Sequence, residues 1–222
     1  MQSPYQFIVN ESDEKGKYTL ILIIRGWLPT RQQLITWNKT SEYVSQEDAW
    51  EEMQKLPFKT YDRISPYNNQ VYTQPRINFA CADQEFEGTK YAKVEIPFYK
   101  WTPVCESIRN RILKESKLSF NSCLINGYRN ENDMVGEHAD RESLGFGNAV
   151  VTVSIGETRF FSVTRNTDQK ELGVFLNSGD LVIMYGAAQK NYKHGIPREK
   201  IPRGLRFSIT YRVMIPGELI EN

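Results

Sequence analysis

Histidine is nearly missing from this chain: two imidazoles, His138 and His194, serve all 222 residues. Cysteine is almost as scarce. Cys81, Cys105 and Cys123 make an odd number, widely separated and without the short spacings of a zinc module. A disulfide framework is thereby excluded, and reduced structural thiols in a cytoplasmic or nuclear compartment are expected. Long apolar runs are missing too. The "LILII" run behind the charged N-terminal stretch is too short for a membrane span or a signal core, so no membrane association is expected and the run reads as a buried strand. Net charge is also lacking: 28 Lys and Arg face 27 Asp and Glu, leaving +1, so no whole-molecule field draws the chain to nucleic acid or anionic lipid. Any such affinity must be local.

What is present is enough to build a core. Apolar residues make up 40 % and aromatics 12 % of the chain, and no repeat, low-complexity linker or interdomain seam interrupts it. One domain over residues 1–222 is expected, with 1–75 as an N-terminal extension carrying a hairpin and 76–215 as the core. Between Thr30 and Leu56, Ala49, Trp50, Met53 and Leu56 recur at helical spacing and read as core rather than as a binding stripe. "SPYNNQ" looks like a hairpin tip between extended arms. In "TPVCESIRNRILKESKL", Thr102 can cap, Pro103 suits the first turn, and Val104, Ile108 and Ile112 share a face, which predicts a helix. From Phe120 onward the pattern turns into short alternating runs such as "SCLINGY", "AVVTVSIG", "DLVIMYG" and "RFSITYR". That is a many-stranded unit, a β-sandwich or barrel with the N-terminal helices packed outside.

Half of the histidine supply lies in "GEHADRE". On an extended chain residues two apart share a side, so His138 and Asp140 would face one cavity, and His194 in "NYKHGIP" could return to it from a sheet rim. Two imidazoles and a carboxylate with open positions suit non-haem Fe(II); two unrelated histidines would leave the same trace. The strand "RFSITYR" narrows the choice. Arg206, Ser208, Thr210 and Arg212 share one side and Phe207, Ile209 and Tyr211 the other. Such a strand is either a sheet edge or the floor of a pocket for a dicarboxylate, which arginine grips in a bidentate fork. "LINGY" adds Asn126 and Tyr128 on one face.

The order Asn-x-Tyr, His-x-Asp, a distant His, then Arg-x-x-x-Thr-x-Arg resembles the AlkB family of Fe(II)- and 2-oxoglutarate-dependent dioxygenases. The likeness runs from about "QPRINF" to "ITYRVM", and is nearly continuous over "FNSCLINGYRNENDMVGEHADRESLG"; the first 70 residues carry little of it. It implies an α+β fold around a double-stranded β-helix, or jelly roll, and oxidative demethylation of N-alkylated bases, 1-methyladenine and 3-methylcytosine, in DNA or RNA. Succinate, CO2 and formaldehyde would be released. By the resemblance, His138, Asp140 and His194 bind Fe(II), and Arg206 with Tyr128 takes the distal carboxylate of 2-oxoglutarate. Asn126, Ser208, Thr210 and Arg212 line the cosubstrate pocket, with Arg212 nearer the metal and counted with the catalytic group.

A base methylated at these positions carries a fixed positive charge, which a carboxylate and an aromatic face would favour. The resemblance gives these roles to Glu142 and Tyr91, although Tyr91 reads equally as an ordinary strand tyrosine. It places Arg76 near the nucleic-acid backbone and the recognition hairpin at "SPYNNQ". That hairpin lacks an apolar wedge, so single-stranded or easily opened substrates are expected. Lys190, Lys193, Arg198, Lys200 and Arg203 form the one local basic cluster, either a phosphate contact or solvated surface. Three departures from the family pattern stand out: Ser208 where Asn is usual, Arg141 where an acid is common, and a divergent lid, "RINFACADQEFEG". A monomer is expected. Two other readings fit parts of the pattern: a 2-oxoglutarate-dependent hydroxylase or demethylase acting on a protein or a small molecule, and a nucleic-acid-binding module without catalysis.

Overall fold

The computed structural model describes residues 3–64, 68–86, 90–91, 96–140 and 149–214. The apolar run near the N-terminus forms β2 (Tyr18–Ile24), which pairs on one side with β1 (Tyr5–Ser12) and on the other with β13 (Leu181–Gly186). The sheet continues through β10 (Ala149–Gly156), β15 (Arg206–Arg212), β8 (Ser122–Tyr128) and β5 (Ile77–Ala82) to β7 (Ile96–Tyr99) and the two-residue β6 (Lys90–Tyr91). A second sheet orders β12 (Glu171–Leu176), β11 (Arg159–Arg165), β14 (Tyr192–Ile196) and β9 (Val135–His138). The short strands β3 (Asp62–Ile64) and β4 (Val71–Thr73) pair as the hairpin expected around "SPYNNQ".

Alternation along the central strands decides which layer each residue enters. Val151, Val153, Ile155, Phe207, Ile209 and Tyr211 point to one side of the large sheet and pack beneath α2 (Gln46–Met53) and α3 (Pro103–Ser116). Val150, Val182 and Met184 point to the other and meet Phe161, Val163, Tyr192 and Ile196 of the second sheet. Two sheets face to face with helices on the outer side of the larger one make the jelly roll of an α+β protein.

The helices start where the sequence can cap them. Thr102 accepts from the backbone of Cys105 with Pro103 behind it, and α3 buries Val104, Ile108 and Ile112. Ser45 and Asp48 form a capping box at α2, which buries Ala49 and Met53; Thr30 and Gln33 do the same for α1 (Arg31–Trp37). The polar stretch is therefore two helices rather than one continuous segment. At its C-terminal end Asn38 adopts a left-handed φ of 55° and closes α1.

One feature has no trace in the sequence spacing. Cys81 on β5, Cys123 on β8 and Cys105 in the first turn of α3 converge in the core, with their sulfur atoms within 4.8 Å of one another.

Candidate metal and cosubstrate site

The second sheet brings the histidines together. Antiparallel pairing of β14 with β9 sets His194 directly opposite His138, with ring centroids 4.5 Å apart. Asp140 follows β9 and turns its carboxylate between them: Oδ1 is 3.5 Å from His138 Nε2, and Oδ2 is 3.5 Å from His194 Nε2. His138 Nδ1 lies 2.9 Å from the carbonyl of Gly136. A carbonyl can only accept, so the proton sits on Nδ1 and the Nε2 lone pair is left for a metal.

Close strand contact makes this possible. A Cβ built on Gly195 would meet Val135 O at 2.9 Å and Glu137 N at 3.2 Å, so only glycine lets β14 lie this near to β9.

The electrostatics favour a cation. Asp140 is 3 % exposed, and burial alone would raise its pKa, but Arg212, His138 and His194 together hold the carboxyl well below the usual carboxylate range. Among the described residues its Oδ2 has no hydrogen-bond partner, and Arg212 Nη2 lies 3.2 Å from Oδ1. Burial pushes His194 below the ordinary histidine value, so the imidazole stays neutral and able to ligate.

A residue that the sequence reading missed completes the set. Gln189, on the short helix α4 (Ala188–Asn191) between β13 and β14, accepts the backbone N–H of Asp140 at 2.8 Å and is itself buried. No spacing rule links it to "EHAD"; only the fold does.

β15 forms a second wall. All seven residues of the strand are buried, and it lies between β10 and β8, which excludes the sheet-edge reading. Arg206 is 1 % exposed; its Nη2 donates to Ser154 Oγ at 2.9 Å, while Nε and Nη1 have no hydrogen-bond partner among the described residues. Burial, reinforced by the nearby Arg159, makes its charge harder to hold. A buried guanidinium with no carboxylate beside it among the described residues calls for an anion. Tyr128, opposite Arg206 in the β8 register, presents its ring 5.2 Å from the Arg206 guanidinium and 5.6 Å from that of Arg159. Ser208 pairs with Asn126, and Thr210 exchanges a hydrogen bond with Thr152 at 3.1 Å. Donor chemistry and the orphaned atoms therefore fit Fe(II) at His138, Asp140 and His194, and a dicarboxylate reaching Arg206.

The expected substrate contacts are scattered. Arg76 is half-buried and turns inward, its Nε donating to Asn126 Oδ1 at 3.0 Å and its Nη1 to Met134 O at 3.3 Å. Asn78 donates to the same Asn126 oxygen at 2.6 Å. Tyr91 lies on β6 at the far edge of the large sheet; its side chain, Arg141, Glu142 and Tyr67 fall outside the described residues. The basic cluster is partly spent on the protein itself. Arg203 bonds Glu199 and approaches Glu157 at 3.7 Å, and Arg198 donates to Asn132 O, whereas Lys190, Lys193 and Lys200 stay exposed. On the β3–β4 hairpin Ile64 and Val71 are both 67 % exposed and Tyr72 is 43 % exposed, so apolar surface sits on the arms. Among the described residues no helix is long and apolar enough to cross a membrane.

Residues 21–212 match the model of the 2OG-Fe(II) oxygenase superfamily. The human alpha-ketoglutarate-dependent dioxygenase alkB homolog 3 is 32 % identical over 174 residues, covering 73 % of this chain and 59 % of that protein. The Bos taurus DNA oxidative demethylase ALKBH2 is 31 % identical over 126 residues, 52 % of this chain and 45 % of its own. The chain thus spans less than two thirds of these relatives' length. A solved structure, that of OsALKBH1, superposes with a TM-score of 0.57 at 20 % identity over 86 % of this chain and 97 % of the other, a likeness of fold. With the superfamily match spanning both histidines, Asp140 and the arginine strand, the chain belongs to the 2OG-Fe(II) oxygenase superfamily, within its AlkB family.

Proposed function

We propose that the chain is a dioxygenase that uses Fe(II), 2-oxoglutarate and O2 to demethylate N-alkylated bases, 1-methyladenine and 3-methylcytosine, in DNA or RNA. The observation that carries the reading is a single interior wall. Asp140, wedged between His138 and His194, touches Arg212, and Arg212 shares the inward face of β15 with the unsatisfied Arg206. When bound, iron and 2-oxoglutarate supply the oxidation of the N-methyl carbon, with succinate, CO2 and formaldehyde released.

The chain's residues bind and orient. His138, Asp140 and His194 would hold the iron through two imidazoles and a carboxylate. Arg212 keeps Asp140 ionised, and Gln189 fixes the backbone from which that carboxylate projects. Arg206 receives the distal carboxylate, with Ser154 aiming it and Tyr128 closing one side. Asn126, Ser208 and Thr210 give the pocket its hydrogen-bonding lining. Ser208 is shorter than the asparagine usual in the family, so that contact is weaker here.

Substrate assignment rests on the relatives named as alkB homolog 3 and DNA oxidative demethylase, and on the charge argument for a methylated base. Glu142 and Tyr91 are the proposed base contacts. Arg76, held on Asn126, acts through the pocket lining rather than as a free phosphate contact. Exposed Lys190, Lys193 and Lys200 are left to meet a single-stranded or locally opened backbone. A monomer in a reducing compartment suits the three free thiols. The near-neutral charge and the internally paired Arg203 favour, as the second reading, a protein or small-molecule substrate for the same oxidation.

The test is anaerobic loading with Fe(II) and 2-oxoglutarate, then O2 and single-stranded oligonucleotides carrying 3-methylcytosine or 1-methyladenine, read by mass spectrometry. Loss of the methyl group with succinate formation is expected. Succinate without demethylation would transfer the assignment to the second reading.

A further inference from the structure

A second cluster of metal-binding side chains lies on the other side of the large sheet. Cys81 and Cys123 are directly opposite each other in the antiparallel β5–β8 pair and point toward the helices. Cys105 descends onto them from the third position of α3, where Thr102 caps the backbone N–H at 3.3 Å. All three are free thiols with 0–1 % exposure, and their sulfurs lie within 4.8 Å of one another. Three elements distant in sequence deliver three sulfurs to one point. We propose that Cys81, Cys105 and Cys123 form a second metal site, a closed three-sulfur site for a soft monovalent cation, with Cu(I) as its ion.

Geometry and donor chemistry select that class. Sulfur–metal bonds of about 2.3 Å in a trigonal plane place the sulfurs about 4.0 Å apart, so closing the cluster needs shifts below about 1 Å. Val104, Ile108, Ile112, Phe120 and Ile125 belong to the same apolar cluster, and the nearby Tyr211 hydroxyl is already committed to the carbonyl of Cys105 at 2.9 Å. Three cysteines fall one short of the four protein ligands of a structural zinc site, and a sulfur donor set does not suit oxygen-seeking ions. Thiolate sulfur selects Cu(I).

The site is separate from the iron ligands, which lie on the inward side against the second sheet. It is therefore independent of the oxygenase reading. Because the sulfurs are shut off from solvent, loading is done during folding. His138→Ala protein, in which the iron site is disabled, is unfolded in urea and refolded anaerobically with Cu(I) supplied as a chelate of known affinity. One bound equivalent is expected, with X-ray absorption showing a shell of three sulfurs and no nitrogen or oxygen. Each of Cys81→Ser, Cys105→Ser and Cys123→Ser should weaken retention by at least about tenfold in competition with the chelator. The proposal is overturned if the shell in His138→Ala protein with all three cysteines intact contains nitrogen or oxygen, or if no copper survives competition. A Cys81–Cys123 disulfide found by mass in the anaerobically prepared protein would also overturn it. The absorption result needs no cysteine variant, so it decides the matter even where a serine substitution prevents folding.

Discussion

Replacing Arg206 with methionine separates the demands of the fold from those of the cosubstrate. The Arg206 side chain is 1 % exposed, two of its nitrogens have no hydrogen-bond partner among the described residues, and burial together with Arg159 makes its charge harder to hold. Methionine keeps much of the stem's volume and removes the charge. The loss of the Ser154 hydrogen bond costs about 1–3 kcal/mol. Relief of an uncompensated buried charge returns about 1–4 kcal/mol. The two offset, so the ligand-free melting temperature should move by less than about 4 °C. Binding behaves differently. Removing one partner of a buried ion pair costs about 3–5 kcal/mol, a loss of roughly 100- to 4000-fold in affinity for 2-oxoglutarate. The assay is thermal melting with Mn(II) as a redox-silent stand-in. With 2-oxoglutarate at about 100 times its Kd, wild-type protein should gain about 2.7 kcal/mol, or about 5–11 °C, and Arg206→Met should gain almost nothing at the same concentration. A full ligand-induced shift in the variant would refute Arg206 as the carboxylate receptor.

His138→Ala should abolish both succinate formation and demethylation; unchanged turnover would remove the metal assignment. Gln189→Leu takes away the acceptor for the Asp140 N–H, and iron affinity measured by chelator competition should fall about 10- to 100-fold with little change in melting. Gly195→Ala pushes a Cβ against the β9 backbone and should separate His138 from His194, weakening iron binding although no ligand is altered; unchanged affinity would show that β9 yields without moving its histidine. Acid stability tests Glu199. Although burial alone would raise its pKa, the Phe160 backbone N–H, Arg203 and Arg159 lower it. Its contribution is thus fully present above the unfolded carboxyl value near 4.5, and is lost as pH falls through the lower folded value. Glu199→Gln should reduce stability at pH 7 and flatten this part of the decline in chemical denaturation below pH 4.5; an unchanged slope would show that Glu199 does not drive it.

Local pattern made much of the fold legible. Alternation in "RFSITYR" separated the residues beneath the helices from those facing the second sheet, because a strand's period of two holds wherever one side packs differently from the other. Thr102, Pro103 and the Val104, Ile108, Ile112 stripe specified α3, since capping and amphipathic spacing act within a few residues. His-x-Asp and the arginine strand carried the iron and dicarboxylate chemistry for the same reason: each is a short-range arrangement of donors.

Contacts between distant segments were not legible. Gln189 reaches Asp140 across 49 positions, Arg76 turns inward to Asn126 across 50, and Arg203 is drawn to Glu199 and Glu157 rather than left to solvent. The three cysteines have no motif because β5, α3 and β8 meet only after the sheet and its helix layer pack. The sequence by itself determined the donor set and the strands that carry it. The pairing of β14 with β9, and of β8 with β5 and β15, decided which donors touch. That pairing is a long-range register choice, settled by burying whole faces rather than by any neighbouring residue.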